Sequence, residues 1–237
     1  LSKLVPYSFI PCNFRGPLNR SREKVRAAIK PPIRILMERN PSCPEVFYYQ
    51  EVPMASPRKK QVMDAIAVNR SVTRLAHEIL ERNGGPDHLM LIGILTRGEP
   101  LAKRLQSLIH KISEVEVPIG SVDITFHRDD FRDRLVVPQV KGTDINDSID
   151  DKIVVLVDDV LFTGRTIRAA MDELNAFGRP KCVQLAVLVD RGHREVPIRA
   201  DFVGKNIPTH EGEHVEVRLK EVDEKDLVTL TRYSEEV

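Results

Sequence analysis

The sequence predicts an α/β chain built on a central, mainly parallel sheet flanked by helices. Three observations carry that expectation. Apolar runs at Leu89–Ile94, Val154–Val157 and Cys182–Val189 read as strands buried on both faces, as parallel strands are. The first two give way to short glycine-containing turns and then to helical patterns, so strand, loop and helix alternate. With 237 residues and 41% hydrophobic content, the chain can core one large domain, or one domain plus an appendage.

The first 53 residues read differently from the rest. Prolines stand at 6, 11, 17, 31, 32, 41, 44 and 53, and Pro31 stops the one short helical candidate, Arg22–Lys30. Loose or disordered chain is expected there, with the folded domain at 54–237. Met54 precedes a polar lead-in and a clean helix, whereas the chain begins at Leu1. The segment before Met54 is therefore read as upstream translation, or else as a regulatory arm using Arg15, Arg20, Arg22, Lys24 and Arg26. From Met63 to Arg82, Val68, Val72, Leu75, Ala76, Ile79 and Leu80 recur at helical spacing, and Asn83-Gly84-Gly85-Pro86 ends the helix. Opposite that stripe Arg70, Thr73, Arg74 and His77 share a face, with Arg82 one turn beyond. Two readings stay open: a face that contacts phosphates, or a solvated one diluted by Glu78 and Glu81.

After the strand at Leu89–Ile94, the turn Leu95-Thr96-Arg97-Gly98-Glu99-Pro100 leads into a helix over Leu101–Ile112. A glycine-containing turn with backbone donors and Arg97 suits a diphosphate, with Thr96 and Gly98 beside it. Val117–Phe126 alternates as a further strand. The charged run from His127 to Arg134 then continues through Pro138 and Gly142 to Ile149. Its length and polarity fit a flexible lid that brings Arg128, with Arg132 near it, to a departing diphosphate. A solvated hairpin held by internal ion pairs is the competing reading.

The chain is organised around Val154-Val155-Leu156-Val157-Asp158-Asp159-Val160-Leu161-Phe162-Thr163-Gly164-Arg165-Thr166. A buried strand ends in two acids, and a Thr-Gly-x-Thr turn opens a helix. Unpaired N–H groups, the helix dipole and the Thr163 and Thr166 hydroxyls can hold a phosphate dianion, and Gly164 lets the backbone come close. Asp158 and Asp159 are placed to accept from vicinal hydroxyls or to gather a hydrated Mg²⁺, without direct metal ligation being assigned to any side chain. Phosphate at one end and diol at the other describe a ribose 5-phosphate. No Gly-x-x-x-x-Gly-Lys is present, which excludes a P-loop. The turn after the next strand, at Val189, Asp190 and Arg191, borders the base, because ligands in open α/β sheets lie across the strands' carboxyl ends.

The thirteen-residue stretch resembles the 5-phosphoribosyl diphosphate (PRPP) signature of type I phosphoribosyltransferases at every position, from Asp158 and Asp159 through Val160, Leu161, Phe162, Thr163, Gly164 and Arg165 to Thr166. The turn at Thr96–Gly98 is similar to that family's diphosphate loop, where a non-proline cis peptide is common. The resemblance implies the type I phosphoribosyltransferase fold, with a small hood and a flexible lid. Residues Arg70–Asn83, Gly93–Leu105, Asp123–Asp130, Val154–Leu174, Leu185–Ile198 and Ala200–Thr209 further resemble the bifunctional pyrimidine operon regulators that are also uracil phosphoribosyltransferases. His210 departs from that pattern, and residues 1–53 have no counterpart in it. The resemblance implies conversion of uracil and PRPP to UMP and diphosphate with Mg²⁺, a pyrimidine-operon mRNA leader as partner, and a homodimer or homotetramer. It also implies RNA contact by Arg70, Thr73, His77 and Arg82. Phe162 stands where hypoxanthine-guanine enzymes carry an acid, and the intact Asp158-Asp159 pair differs from dedicated uracil enzymes. The alternative is a salvage enzyme without RNA regulation.

Charge and cysteines bound the remainder. Lys and Arg (36) nearly balance Asp and Glu (35), so any RNA surface is local. Three unpatterned cysteines indicate neither a disulfide framework nor a zinc site, and fit a reducing cytoplasm. No apolar run reaches the ~18 residues of a membrane span.

Overall fold

The computed structural model describes residues 33–36, 48–51, 58–124, 142–210 and 212–232. The chain divides into two units at Met54/Ala55. In the first, β1 (Ile33–Leu36) pairs antiparallel with β2 (Tyr48–Glu51), Ile33 opposite Glu51. The sequence-based expectation over His127–Phe131 and on to Lys141, including Arg128 and Arg132, lies outside the described residues.

The second unit holds five parallel strands in the order β5-β4-β6-β7-β8, namely Ile119–Val122, Leu89–Ile94, Ile153–Leu161, Cys182–Asp190 and Phe202–Asn206. Alternate residues of the central strands face opposite cores. Leu89, Leu91, Val155, Val157, Ala186 and Leu188 pack toward α1 (Ala65–Asn83) and α2 (Gly98–Ser113), while Met90, Ile92, Val154, Leu156, Leu185 and Val187 pack toward α3 (Arg165–Leu174). All six residues of β4 are buried. This two-sided burial explains why the strands read as continuous apolar runs rather than alternating ones.

Local chemistry sets the helix ends. Asp64 caps α1 by accepting from the Ala67 N–H at 2.7 Å, and Gly84 closes it in the left-handed region. Helix α2 begins at Gly98, three residues before the expected Leu101. Pro100 does not prevent this, because in the first turn its missing N–H has no partner to lose. Strand β6 runs on to Leu161, so Asp158 and Asp159 lie within it: β7 continues the ladder past them, with Asp158 opposite Val187 and Val160 opposite Val189.

A second sheet, β3-β10-β9, is antiparallel and forms the hood. It comprises Arg58–Met63, Leu227–Arg232 and Glu213–Arg218, with the single turn α4 (Lys220–Asp223) between β9 and β10. Met63, Val217, Leu219 and Val228 anchor it in the α1/α2 core. No helix among the described residues is long and apolar enough to cross a membrane.

Candidate functional site

The chain order of the parallel sheet reverses between β4 and β6. From β4 the chain crosses through α2 to β5 on one side; β6 then returns to the other side of β4 and leads through α3 to β7. A crevice at the strands' carboxyl ends opens at such a switch point. Here it is a cleft of about 320 Å³ bordered by Thr96, Arg97, Asp158, Asp159, Phe162 and Arg191, with Thr166 in its wall. A larger open groove of about 580 Å³ lies beyond Asp190 and Arg194, but it contains neither acid pair nor phosphate loop. Chemistry therefore favours the smaller one.

The turn after β4 brings Thr96 and Arg97 to the cleft. The Leu95–Thr96 peptide is cis, and the Leu95 N–H donates to Val122 O at 3.0 Å. Gly98 follows where no side chain fits, since a Cβ there would stand 2.2 Å from Val157 O. Arg97 donates through Nε and Nη2 to the two carboxylate oxygens of Asp223, at 3.0 and 2.9 Å. The hydrogen bonds that Arg97 donates to Asp223 raise the Arg97 pKa, with the charges of Asp223 and Asp159 adding to them, so this guanidinium is a permanent cation beside the acid pair.

Asp158 is buried and Asp159 half-buried. The Asp159 N–H donates to Asp158 Oδ1 and the Val160 N–H to Asp159 Oδ1, each at 2.9 Å, which turns the carboxylates into a fixed pair. Burial pushes the Asp159 carboxyl above its ordinary value, while its hydrogen bond with Asp158 and the charge of Arg97 pull the other way. Leu161 is sunk in the core, and its carbonyl accepts from the Arg191 N–H at 3.1 Å.

Phe162, Thr163 and Gly164 make the tight entry to α3. Gly164 has φ of 91°, a conformation that leaves little choice but glycine, and its missing Cβ leaves room beside Val196. The loop is braced from outside: Thr163 O accepts from Glu195 and Val196 N–H, both at 3.0 Å, and Arg194 donates to Phe162 O at 2.8 Å. The Arg165 side chain pairs with Glu195 at 2.7 Å. Thr163 and Thr166 are half-buried beside the first turn of α3, whose N–H groups point into the loop.

On the expected base side, Val189 is fully buried and presents no side chain. Asp190 is engaged by Arg194 and by the Gly192 N–H. Arg191 lies with its guanidinium 3.9 Å from the Phe162 ring centre and donates to Thr209 Oγ1 and Glu213 O. Half-exposed Phe162 is thus a braced aromatic wall of the cleft. Thr209 ended a stretch read only for its resemblance, and Glu213 and Asp223, which also support this site, carry no local motif and escaped sequence reasoning.

On α1, Arg70 and His77 are exposed. Thr73 donates to Asn69 O at 2.9 Å. Arg82 pairs with Asp201 at 2.8 Å and lies 5.5 Å from the Phe202 ring centre, and Arg74 donates to Val203 and Gly204 carbonyls on edge strand β8. The face that looked uniform in sequence divides into residues projecting outward and residues bolting the helix to the sheet.

Fold and cleft together define a phosphoribosyltransferase, and the family model for the phosphoribosyl transferase domain matches residues 59–222. Among solved structures, hypoxanthine phosphoribosyltransferase of Trypanosoma cruzi aligns with a TM-score of 0.56 at 19% identity, over 74% of this chain and 97% of that one. The Staphylococcus aureus hypoxanthine enzyme aligns at 0.54 and 20% identity, over 71% and 90%. These share the fold. The bifunctional protein PyrR of Clostridioides difficile (strain 630) is 54% identical over 172 residues, 73% of this chain and 97% of that protein. The bifunctional protein PyrR of Roseiflexus sp. (strain RS-1) is 56% identical over 165 residues, covering 70% and 90%. The chain belongs to the family of bifunctional PyrR proteins.

Proposed function

We propose that this protein joins uracil to PRPP, giving UMP and diphosphate, and that with UMP bound it regulates pyrimidine genes by binding a leader of the operon's messenger RNA. The observation that carries the reading is the convergence of a diphosphate-type turn, an acid pair and a Thr-Gly-x-Thr loop on one switch point, in a chain of the PyrR family.

The ribose hydroxyls bind Asp158 and Asp159, and the 5-phosphate binds the loop from Val160 to Thr166, with backbone N–H groups, the two threonine hydroxyls and the dipole of α3 holding it. Arg97 and the Thr96–Gly98 turn take the diphosphate. As the bond to diphosphate breaks, positive charge grows on ribosyl C1 and negative charge on the leaving group; Arg97 stabilises the latter, and Arg128 joins it from the charged segment. Phosphoribosyltransferases of this fold use PRPP with Mg²⁺. Among the described residues no group of three or more His, Cys, Asp or Glu could hold a metal. The donor set at Asp158 and Asp159 is all oxygen and suits a hydrated hard cation carried in by the substrate, which supplies charge neutralisation at the diphosphate. Uracil lies against the turn at Val189–Arg191 and the Phe162 wall, bound mainly through backbone groups.

RNA meets the outward face of α1 at Arg70, Thr73 and His77, with Arg82 at its end. UMP in the cleft strengthens this binding by linkage. Residues 54–237 form the working unit and 1–53 an appendage; the division at Met54 and the start of the family match at residue 59 support this. The protein works in the cytoplasm as a homodimer or homotetramer.

The test has two arms. Uracil-dependent release of diphosphate from PRPP is expected in the wild type and lost in Asp158→Asn/Asp159→Asn. Filter retention of a pyrimidine-operon leader is expected to strengthen with UMP, for the full chain and for a chain starting at Met54. Turnover without UMP-dependent retention would leave a salvage enzyme; retention by the full chain alone would overturn the 54–237 assignment.

A further inference from the structure

Arg97 borders the cleft, but one edge of its guanidinium is already engaged by Asp223, which is not among the residues lining it. Nε and Nη2 are forked onto Asp223, 126 residues later in the chain and on α4 of the hood connection. We propose that Asp223 is a positioning residue for PRPP, which holds the Nε–Nη2 edge of Arg97 so that the Nη1–Nη2 edge is presented to the diphosphate. This rests on the reading of Arg97 as a diphosphate contact.

The donor inventory permits it. A guanidinium has five N–H groups in one plane. The fork to Asp223 takes one from Nε and one from Nη2, leaving both on Nη1 and the outer one on Nη2. One Nη1 N–H and the outer Nη2 N–H lie along the Nη1–Nη2 edge, in the geometry that binds two phosphate oxygens at once. Because Arg97 lines the cleft together with Asp158 and Asp159, the remaining edge is the one a ligand there can reach.

The clamp is itself immobilised. The Leu219 N–H donates to Asp223 Oδ2 at 3.1 Å, and the Asp223 N–H donates to Leu219 O at 2.6 Å. Two turns along α2, Arg104 makes forked bonds to both Glu221 and Asp226, at 2.6 to 3.0 Å. The start and middle of α2 are thus fastened to one short stretch of the hood. An arginine on a freely rotating stem would lose that freedom when ligand binds, whereas one already oriented has less to lose. Asp223 touches neither substrate nor reacting atoms; it acts through Arg97.

The experiment uses the full chain and five variants: Asp223→Ala, Asp223→Asn, Asp226→Asn, Arg97→Ala and the double variant Arg97→Ala/Asp223→Ala. Asp223→Ala is expected to raise the KM for PRPP and the inhibition constant of diphosphate about tenfold, with the KM for uracil and kcat within about twofold. Asp223→Asn, which keeps the shape and one acceptor, is expected to fall between it and wild type. Asp226→Asn loosens the same stretch without touching Arg97 and is expected to leave the PRPP KM unchanged. In the double variant Arg97→Ala/Asp223→Ala, the second change adds nothing to the first. Equal PRPP effects from Asp226→Asn and Asp223→Ala would make the contact merely structural and overturn the inference. If Arg97→Ala weakens PRPP and neither Asp223 variant does, the positioning role alone fails. If Arg97→Ala leaves PRPP binding intact, the reading of Arg97 fails first.

Discussion

Replacing Gly98 by alanine asks a methyl group to enter space already held by the central strand. Its Cβ would lie 2.2 Å from Val157 O, 3.2 Å from Val157 C and 3.4 Å from Asp158 Cα. All three are backbone atoms of β6, so no side chain can swing aside. To restore an ordinary contact, the start of α2 must retreat from β6 by roughly 1 Å, the scale on which misplaced groups cost about 10²-fold in rate. The retreat separates Thr96 and Arg97 from Asp158 and Asp159, the two sides of the cleft proposed to hold diphosphate and ribose. We expect kcat/KM for PRPP to fall about 100-fold and stability to fall by ~1–3 kcal/mol, the usual range for overpacking. Initial rates of UMP formation at saturating uracil give the first quantity and urea unfolding the second. Ser107→Ala, at an exposed position of the same helix, is expected to change neither. A Gly98→Ala protein with wild-type kcat/KM and unfolding midpoint would refute the argument that close backbone approach sets the site's geometry.

Other consequences are equally open to measurement. Arg104→Met strands Asp226, which is largely buried, and should lower the unfolding free energy by ~2 kcal/mol, whereas Lys103→Ala, which removes an exposed pair with Glu99, should change it by less than ~0.5 kcal/mol. The hydrogen bonds from Arg97 to Asp223 and from Arg104 to Glu221 hold those carboxyls below their ordinary values. Unfolding releases them to bind protons, so their stabilisation is present above the usual carboxylate pKa of ~4 and is lost as pH falls through the folded values; acid titration followed by circular dichroism checks the direction. Asp159 has the opposite sign. Its pKa is raised, so stability from this group declines as pH rises through that value, while PRPP binding should weaken as pH falls through it; a flat PRPP KM on the acid side would count against an ionised Asp159. On the face of α1 proposed to meet RNA, Arg70→Ala/His77→Ala should cut leader binding about tenfold with turnover unchanged, because two groups offered to phosphates are lost. Arg82→Ala should also lower the melting temperature, since it unpairs Asp201; equal melting temperatures for the two variants would contradict the division of that helix face.

The parallel strands and both loops bordering the cleft were legible because their signals are local. A strand buried on both faces must be apolar along its length, and a glycine-bearing turn into a helix is written within a few residues. Helix α1 was legible for the same reason, its stripe and its stop at Gly84 lying in one continuous segment, although its pattern was begun at Met63 and the helix starts at Ala65, after the Asp64 cap. The start of α2 was placed three residues late because Pro100 was taken as the loop's end, although proline suits a first helical turn. Strand β6 was placed short because its apolar run stops at Val157, yet pairing with β7 carries the ladder through both acids. Strand β3 went unread since Arg58–Met63 is polar at most positions, and its partner β10 lies more than 160 residues away, with Val228 opposite Met63.

By itself the sequence determined the alternating architecture, the acid pair and loops that border the cleft, and the family, because each is written in contiguous stretches whose chemistry needs no distant partner. Only the tertiary structure decided how those residues are held. Asp223 on Arg97, Arg191 on Phe162, and Arg82 and Arg74 on β8 are contacts between segments far apart in the chain. A charged residue in sequence looks the same whether it faces solvent, a ligand or a carboxylate from another strand; folding chooses among them by bringing one partner within hydrogen-bonding distance.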